Sequence, residues 1–445
     1  MTLRRLAVKV REDGEKEEWM LRKKFLWVAL LLVQATLCSA APPADQWILP
    51  NFSQRLDVTV TNPGSTPVDT LVTLPVAALQ RAAMGFPGSL AIAVVRNPPG
   101  SKYSVTVIPS QADDLDGDGT ADEFEFQVSL KPHESRQVEI YFSKTLHGKI
   151  IYPRSVHASH NYGYNRQTAA LESESIGYRT YGGFFLDIEG RVAGHQGLYN
   201  DLNGYLAAHE NFAVGKDIFH IGDTLGLGGL FLERNGKIYR PPMNMPDYAH
   251  KPSPEDVPHY RVLADGPLRA IIEATLEHWW VGDDEVAVRA RYSIDAGEGF
   301  VRCRVQITPV KMSEGNIYHA GVGIRELPLE KSRKESGLLM LSGEQRPQTG
   351  RLALALYFNP KMASFSLPIT TPDGKNEVAI FNKTLSCGQT VREDYAVAAA
   401  WNGSGVADLL GYLAGMKGRV NATVVVSGER LEQTPQPERV EGEAY

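Results

Sequence analysis

Apolar and polar residues alternate one by one along most of this chain, in short runs broken by Gly, Pro, Asn or Ser. LDVTV, LAIAVV, YSVTVI, EFEFQVSL and RQVEIYF are runs of this kind, all within residues 45–147. A period of two sets one face of a strand on a core and the other in solvent. Several such strands with turn signals between them predict a small N-terminal antiparallel β-sandwich. Over residues 150–430 the runs lengthen and the loops grow, which predicts a second, larger antiparallel sandwich. The chain is therefore expected to be all-β. Within the larger region, Asn235-Gly236 in GLFLERNGKIYRP predicts a tight hairpin turn, and GVADLLGYLAGM predicts a short helix. Residues 241–258 hold six prolines and read as a long surface loop or lid. Residues 431–445 are polar and read as a disordered tail.

The segment 268–308 reads as three successive strands, RAIIEATLEHW, VAVRARYSI and VRCRVQIT. Val288, Ala290, Tyr292, Val301, Cys303 and Val305 share one face, and Arg289, Arg291, Arg302 and Arg304 share the other. The register expected from the connection opposes Arg291 to Arg302 and Arg289 to Arg304, with Glu277 beside Arg289. Like charges opposed across strands are unfavourable unless something compensates them, and Glu273 and Glu277 offset only part of the charge of these four arginines and Arg269. Two readings are open. One is a solvated face laced with ion pairs. The other is an anion-binding face, on which forked guanidinium groups take a carboxylate or sulfate. Trp279 and Trp280 at the end of the first of these strands are candidate sugar-stacking platforms, with core packing as the alternative.

Charge and the N-terminus narrow the class of partner. MLRKKFLWVALLLVQATLCSAAPP joins basic residues, an apolar run and small residues, as a secretory leader does, and its apolar run is too short to span a bilayer. Residues 1–41 are thus expected to be a signal peptide, with translation starting at Met20 and no stable membrane anchor. Residues 1–40 carry eight basic and five acidic side chains, so the remainder holds 38 and 47 and a formal charge of −9. That balance disfavours nucleic acid as a partner. Cys303 and Cys387 remain after cleavage, either as a disulfide or as free thiols.

DDLDGDGTADEFEF, beginning at Asp113, carries the sharpest local signal. Counted from Asp114, the oxygens of Asp114, Asp116, Asp118, Thr120, Asp122 and Glu125 fall at the spacing of a calcium loop, with Gly119 at the turn. No helices flank it, so the loop is expected between strands, with calcium stiffening it; an acidic turn without metal is the alternative. Elsewhere, residues 154–223 gather His157, His160, His195, His209 and His220 with Tyr162, Tyr164, Tyr178, Tyr181, Arg179 and Lys216. β-Elimination at a uronic acid needs a base and a cation to neutralise the carboxylate, and His209, His220, Tyr178, Arg179 and Lys216 are the candidates. Glycoside hydrolysis needs two carboxylates instead, from Glu172, Glu174, Asp187 or Asp217.

IPSQADDLDGDGTADEFEFQV, LESESIGYRTY, GKDIFHIGDTLGLGGL and ADGPLRAIIEATLEHWW, in this order, resemble a bacterial secreted family, domain-of-unknown-function family 4861. The resemblance covers most of the mature chain. It implies a supersandwich of the galactose-mutarotase-like kind and company with enzymes that degrade uronic-acid polysaccharides. It names no catalytic residue. The expected activity is that of a secreted carbohydrate-active enzyme on an acidic glycan, by elimination; hydrolysis or glycan binding without catalysis are the alternatives.

Overall fold

Alternation along the strands turns directly into layers. The computed structural model describes residues 47–49, 51–88, 90–97, 100–143, 152–161, 168–180, 182–192, 215–242, 257–328, 331–345 and 349–433. The chain divides into units Met1–Pro50 and Asn51–Tyr445, and every described strand lies in the second. The expected leader lies outside the described residues.

In strand Glu123–Leu130, Phe124, Phe126, Val128 and Leu130 point inward, every second residue as its pattern requires. With Val68–Pro75 and Ser110–Asp113 it forms a three-stranded sheet. This packs on a five-stranded sheet ordered Val425–Gln433, Gln54–Thr61, Ser135–Phe142, Ile92–Arg96 and Val105–Ile108. Phe86 meets Phe124 and Phe142 edge-on between the layers, with centroids 5.7 and 5.0 Å away.

The outermost strand of that sheet is a correction. The sequence pattern assigns its residues to the large sandwich up to 430 and to a disordered tail from 431, yet Val425–Gln433 returns to pair with Gln54–Thr61. Val424, Val426 and Leu431 pack on the small core. The register shifts between Asp57 and Thr59, opposite Gly428, whose φ is 75°. A bulge there breaks the period of two, which hides the strand from pattern reading.

The large sandwich is built on an eight-stranded sheet. Its order is His259–Asp265, Arg269–Val281, Asp284–Asp295, Phe300–Lys311, Val391–Trp401, Leu352–Phe358, Leu338–Gly343 and Lys331–Glu335. Its inner face shares one core with a five-stranded sheet over 156–217 and a six-stranded sheet that includes Leu227–Arg234, Ile317–Arg325 and Gly374–Ser386. Asn235 and Gly236 both adopt positive φ, 53° and 79°, at the expected hairpin between Leu227–Arg234 and Lys237–Tyr239. On the outer face, helix Leu409–Val420 lies over Ala353, Ala355, Ala396, Ala398 and Ala400, small residues that admit a close approach. The Asp408 side chain caps it by accepting from Gly411 N. Among the described residues no helix is long and apolar enough to cross a membrane. Cys303 and Cys387 are both free, the first buried and the second exposed.

Candidate functional site

Directly opposed residues of antiparallel strands share a face, so the register of the eight-stranded sheet defines rows across it. Arg291 opposes Arg304, not Arg302, and Arg289 opposes Gln306. The first strand of this pair ends at Asp295 and the next begins at Phe300, which slips the pairing by two residues from the expected register. An even slip keeps each side chain on its face but changes its partner. Of the two glutamates expected to offset these charges, Glu273 stands opposite Arg291, whereas Glu277 falls within the register shift and not beside Arg289, which Thr275 opposes.

The resulting row reads Arg261, Glu273, Arg291, Arg304, Asp394. Arg261 and Arg291 bond the two oxygens of Glu273 at 2.9 and 2.6 Å. Burial alone would raise the Glu273 carboxyl, but these two guanidinium groups hold it below its ordinary value. Arg304, largely exposed, meets Asp394 at 2.9 Å. In the next row Arg302 donates to the Val420 carbonyl at 2.8 Å and lies 3.8 Å from Asp295.

Arg269, Arg291, Arg302 and Arg304 line a cleft of about 540 Å³, closed on its sides by Thr73 and Leu115 of the small sandwich and by the end of the helix at Val420. Arg269 reaches from the large sheet to Asp113, Glu123 and Glu125 of the small sandwich at 2.7, 2.6 and 2.5 Å. Burial, with further push from Asp113 and Glu123, raises the Glu125 carboxyl to about 9 in spite of Arg269. Most arginines of this face are thus ion-paired, and Arg269, Arg291, Arg302 and Arg304 also border the cleft.

Both tryptophans stand away from that cleft. Trp279 is buried in the main core, and Trp280, 52% exposed, lies at the opposite end of its strand from Arg269. The register shift between Leu276 and Trp279 is what turns Trp279 inward.

A second charged face lies on the sheet over 156–217, turned away from the core. Arg179 bonds Asp187 at 3.1 Å and Glu189 at 2.8 Å, and Arg191 bonds Glu172. All five are at most 5% exposed. Glu189 opposes Asp217 across the strands. Burial, and then the charge of Asp217, pushes the Asp187 carboxyl well above its ordinary value, with Arg179 opposing.

Of the expected elimination set, the described members Tyr178, Arg179, Lys216 and His220 have separate surroundings. Tyr178 points into the core, where its hydroxyl donates to Gly299 O at 2.7 Å and accepts from Ala399 N at 2.9 Å. Burial holds its phenol well above the usual range, so it is no base near neutrality. Arg179, the next residue on the strand, faces the other way. Lys216 sits over the Trp401 ring, 5.2 Å from its centroid. His220 is exposed in a loop held by Gln345, which accepts from its N–H at 2.7 Å. His157 is bonded to Asp265 at 2.7 Å. His195, His209, Tyr162, Tyr164 and Tyr181 lie outside the described residues.

In the acidic loop, carboxylate oxygens of Asp114, Asp116 and Asp122 lie within 4.8 Å of one another. Asp114 accepts from the N–H groups of Gly117 and Gly119, glycines with φ of 84° and 87°. Asp118 caps Thr120 N at 2.7 Å and stands outside that trio. Glu125 does not belong to the loop. It lies on strand Glu123–Leu130, fully buried against Arg269, because the alternation of that strand commits it to the face the arginine reaches. The remaining set is hard oxygen, the donor chemistry of calcium rather than zinc.

Arg269, Glu273, Asp394 and Arg392 stand outside the set of site residues expected from the sequence. Alternation sets Arg269 and Glu273 on the same face as the arginines, but nothing local pairs Asp394 or Arg392 with strands some ninety residues earlier.

The fold and these faces define a two-sandwich β-protein with an arginine-lined cleft at the junction. The chain belongs to the family described as domain of unknown function DUF4861, whose model matches residues 60–426. It is 22% identical over 241 residues to uncharacterized protein P7 of Formosa agariphila, over 49% of this chain and 56% of that relative. The match thus spans little more than half of the curated relative. Among solved structures the chain is similar to an alpha-mannosidase from Enterococcus faecalis, at 9% identity and a TM-score of 0.44, covering 84% of this chain and 46% of that one. It is also similar to a putative kojibiose phosphorylase from human microbiome, at 10% identity and a TM-score of 0.31, covering 55% and 31%.

Proposed function

We propose that this protein is a secreted carbohydrate-active enzyme that holds an acidic glycan by its negative groups in the arginine cleft. The observation that carries this reading is the direct opposition of Arg291 and Arg304 on the cleft wall, with Arg302 in the adjoining row. The exposed Arg304–Asp394 pair is of the solvated kind that contributes little, so a uronate or sulfate exchanges readily for Asp394. The cleft volume falls in the range of small-molecule sites.

Elimination draws on such a cleft to neutralise the uronate carboxylate, with the proton-abstracting base supplied by a residue other than Tyr178. Hydrolysis is a second reading, favoured by the cluster of Asp187, Glu189 and Asp217. There burial and the neighbouring charge of Asp217 raise the Asp187 carboxyl, and a carboxyl raised beside a second carboxylate is the pairing that acid–base cleavage of a glycosidic bond draws on. The test is to incubate the protein with acidic polysaccharides and follow product length together with the ultraviolet absorbance of an unsaturated uronate. Shortening with absorbance supports elimination, and shortening without it supports hydrolysis. Binding without shortening reduces the protein to a glycan-binding module, and no binding refutes the proposal.

Calcium is the ion proposed for Asp114, Asp116 and Asp122, with the Thr120 carbonyl. Its contribution there is to stiffen the loop whose Leu115 forms part of the cleft wall.

A further inference from the structure

Next to the ion-paired row, outside the cleft, runs a row of different character. His259, Thr275, Arg289, Gln306 and Arg392 oppose one another across five strands. Each lies two residues along its strand from a member of the ion-paired row, so both rows project from the same outer face. Arg289 and Arg392 are exposed, and neither pairs with a carboxylate among the described residues. By contrast, Arg261 and Arg291 share Glu273, and Arg304 has Asp394. Gln306 accepts from Arg392 Nε at 3.0 Å and donates to Thr308 at 3.1 Å, which orients both side chains on the sheet. With neighbouring strands roughly 4.8 Å apart, Arg289 and Arg392 stand about 10 Å from each other and the whole row spans about 19 Å.

The cleft arginines thus each have a carboxylate within reach, whereas Arg289 and Arg392 on this open strip have none among the described residues. Its length exceeds one sugar ring, and every position in it offers a polar side chain. We propose that the strip docks an extended polyanionic polysaccharide, carboxylated or sulfated. The chain runs across the strands and sets charged groups against Arg289 and Arg392. This rests on the acidic-glycan reading and adds to it that the ligand is a polymer held outside the cleft as well as in it.

The experiment measures binding of full-length protein to polygalacturonate, to dextran sulfate and to methyl-esterified polygalacturonate, the last being the uncharged form of the first. The Arg289→Ala/Arg392→Ala double variant is expected to bind at least one charged polymer roughly tenfold more weakly or worse, the loss of about one charge-assisted contact. Its melting temperature should match that of the wild type, and the Arg→Lys pair should recover most of the binding. An effect confined to polygalacturonate assigns the strip to carboxylates, and one confined to dextran sulfate assigns it to sulfates. Equal weakening on the methyl-esterified polymer would overturn the electrostatic role. If the double variant binds like wild type while Arg302→Ala weakens binding, the strip is refuted and the cleft stands. If the wild type binds neither charged polymer, the acidic-glycan reading itself fails.

Discussion

Two sheets of the large sandwich carry arginines and carboxylates on the face turned from the core, and they use them differently. On the sheet over 156–217, Glu172, Arg179, Asp187, Glu189 and Arg191 are almost fully buried, and each charge is bonded to another. On the eight-stranded sheet, Arg289, Arg304 and Arg392 are exposed, and only Arg304 has a carboxylate among the described residues. The residue types are the same; the degree of desolvation is not. Removing one partner from a buried set strands the others without water, whereas an exposed arginine exchanges one anion for another at little cost. The first face is therefore tied to the stability of the fold, and the second is of the kind that can exchange one anion for another.

The contrast breaks most visibly at Arg179. Arg179→Met leaves Asp187 and Glu189 buried without their cation, and a loss of about 3–5 kcal/mol is expected in denaturant unfolding. A variant as stable as wild type would mean that this face is hydrated and that the two sheets do not differ as described.

Calcium should come next in size. If the ion binds the folded loop alone, saturation at about a hundred times its dissociation constant adds about 2.7 kcal/mol. Thermal melts with calcium and with chelator should then differ for wild type and coincide for Asp114→Ala/Asp116→Ala. Identical wild-type melts would remove calcium from the account.

The junction between the sandwiches gives a pH signature. Glu125 ionises near 4.5 when unfolded and near 9 when folded. Below pH 4.5 it is protonated in both states and its contribution is fully present; as pH rises toward 9 the folded state retains a proton that the unfolded state has lost, and stability falls. Glu125→Gln should flatten the decline over that window, by at most about 1.4 kcal/mol per pH unit. Parallel stability curves for the two proteins would show Glu125 to be ionised against Arg269 throughout.

The smallest effect on stability is expected on the exposed face. Arg304→Ala should change unfolding by less than about 0.5 kcal/mol while raising the KM for an acidic substrate. A marked loss of stability with unchanged KM would make this face structural like the other.

Some of this was legible in the sequence and some was not. Period-two alternation depends only on neighbours along the chain, so it determined the strands, the inward set from Phe124 to Leu130, and the common face of Arg289, Arg291, Arg302 and Arg304. Asn235-Gly236 set a turn, and GVADLLGYLAGM set a short helix, for equally local reasons. Pairing is another matter. An even slip in register leaves the alternation untouched, so only the folded hairpin assigned Arg304 to Arg291 and Glu273 to both Arg261 and Arg291. The bulge at Gly428 hid a strand whose partner begins at Gln54, and Glu125 met Arg269 instead of a loop because two sandwiches abut there. Tyr178 and Arg179 read as members of one candidate set with His209, His220 and Lys216, yet a strand sends the two to opposite sides. Burial settles what a charged or phenolic group can do, and burial depends on whatever packs over it from elsewhere in the chain.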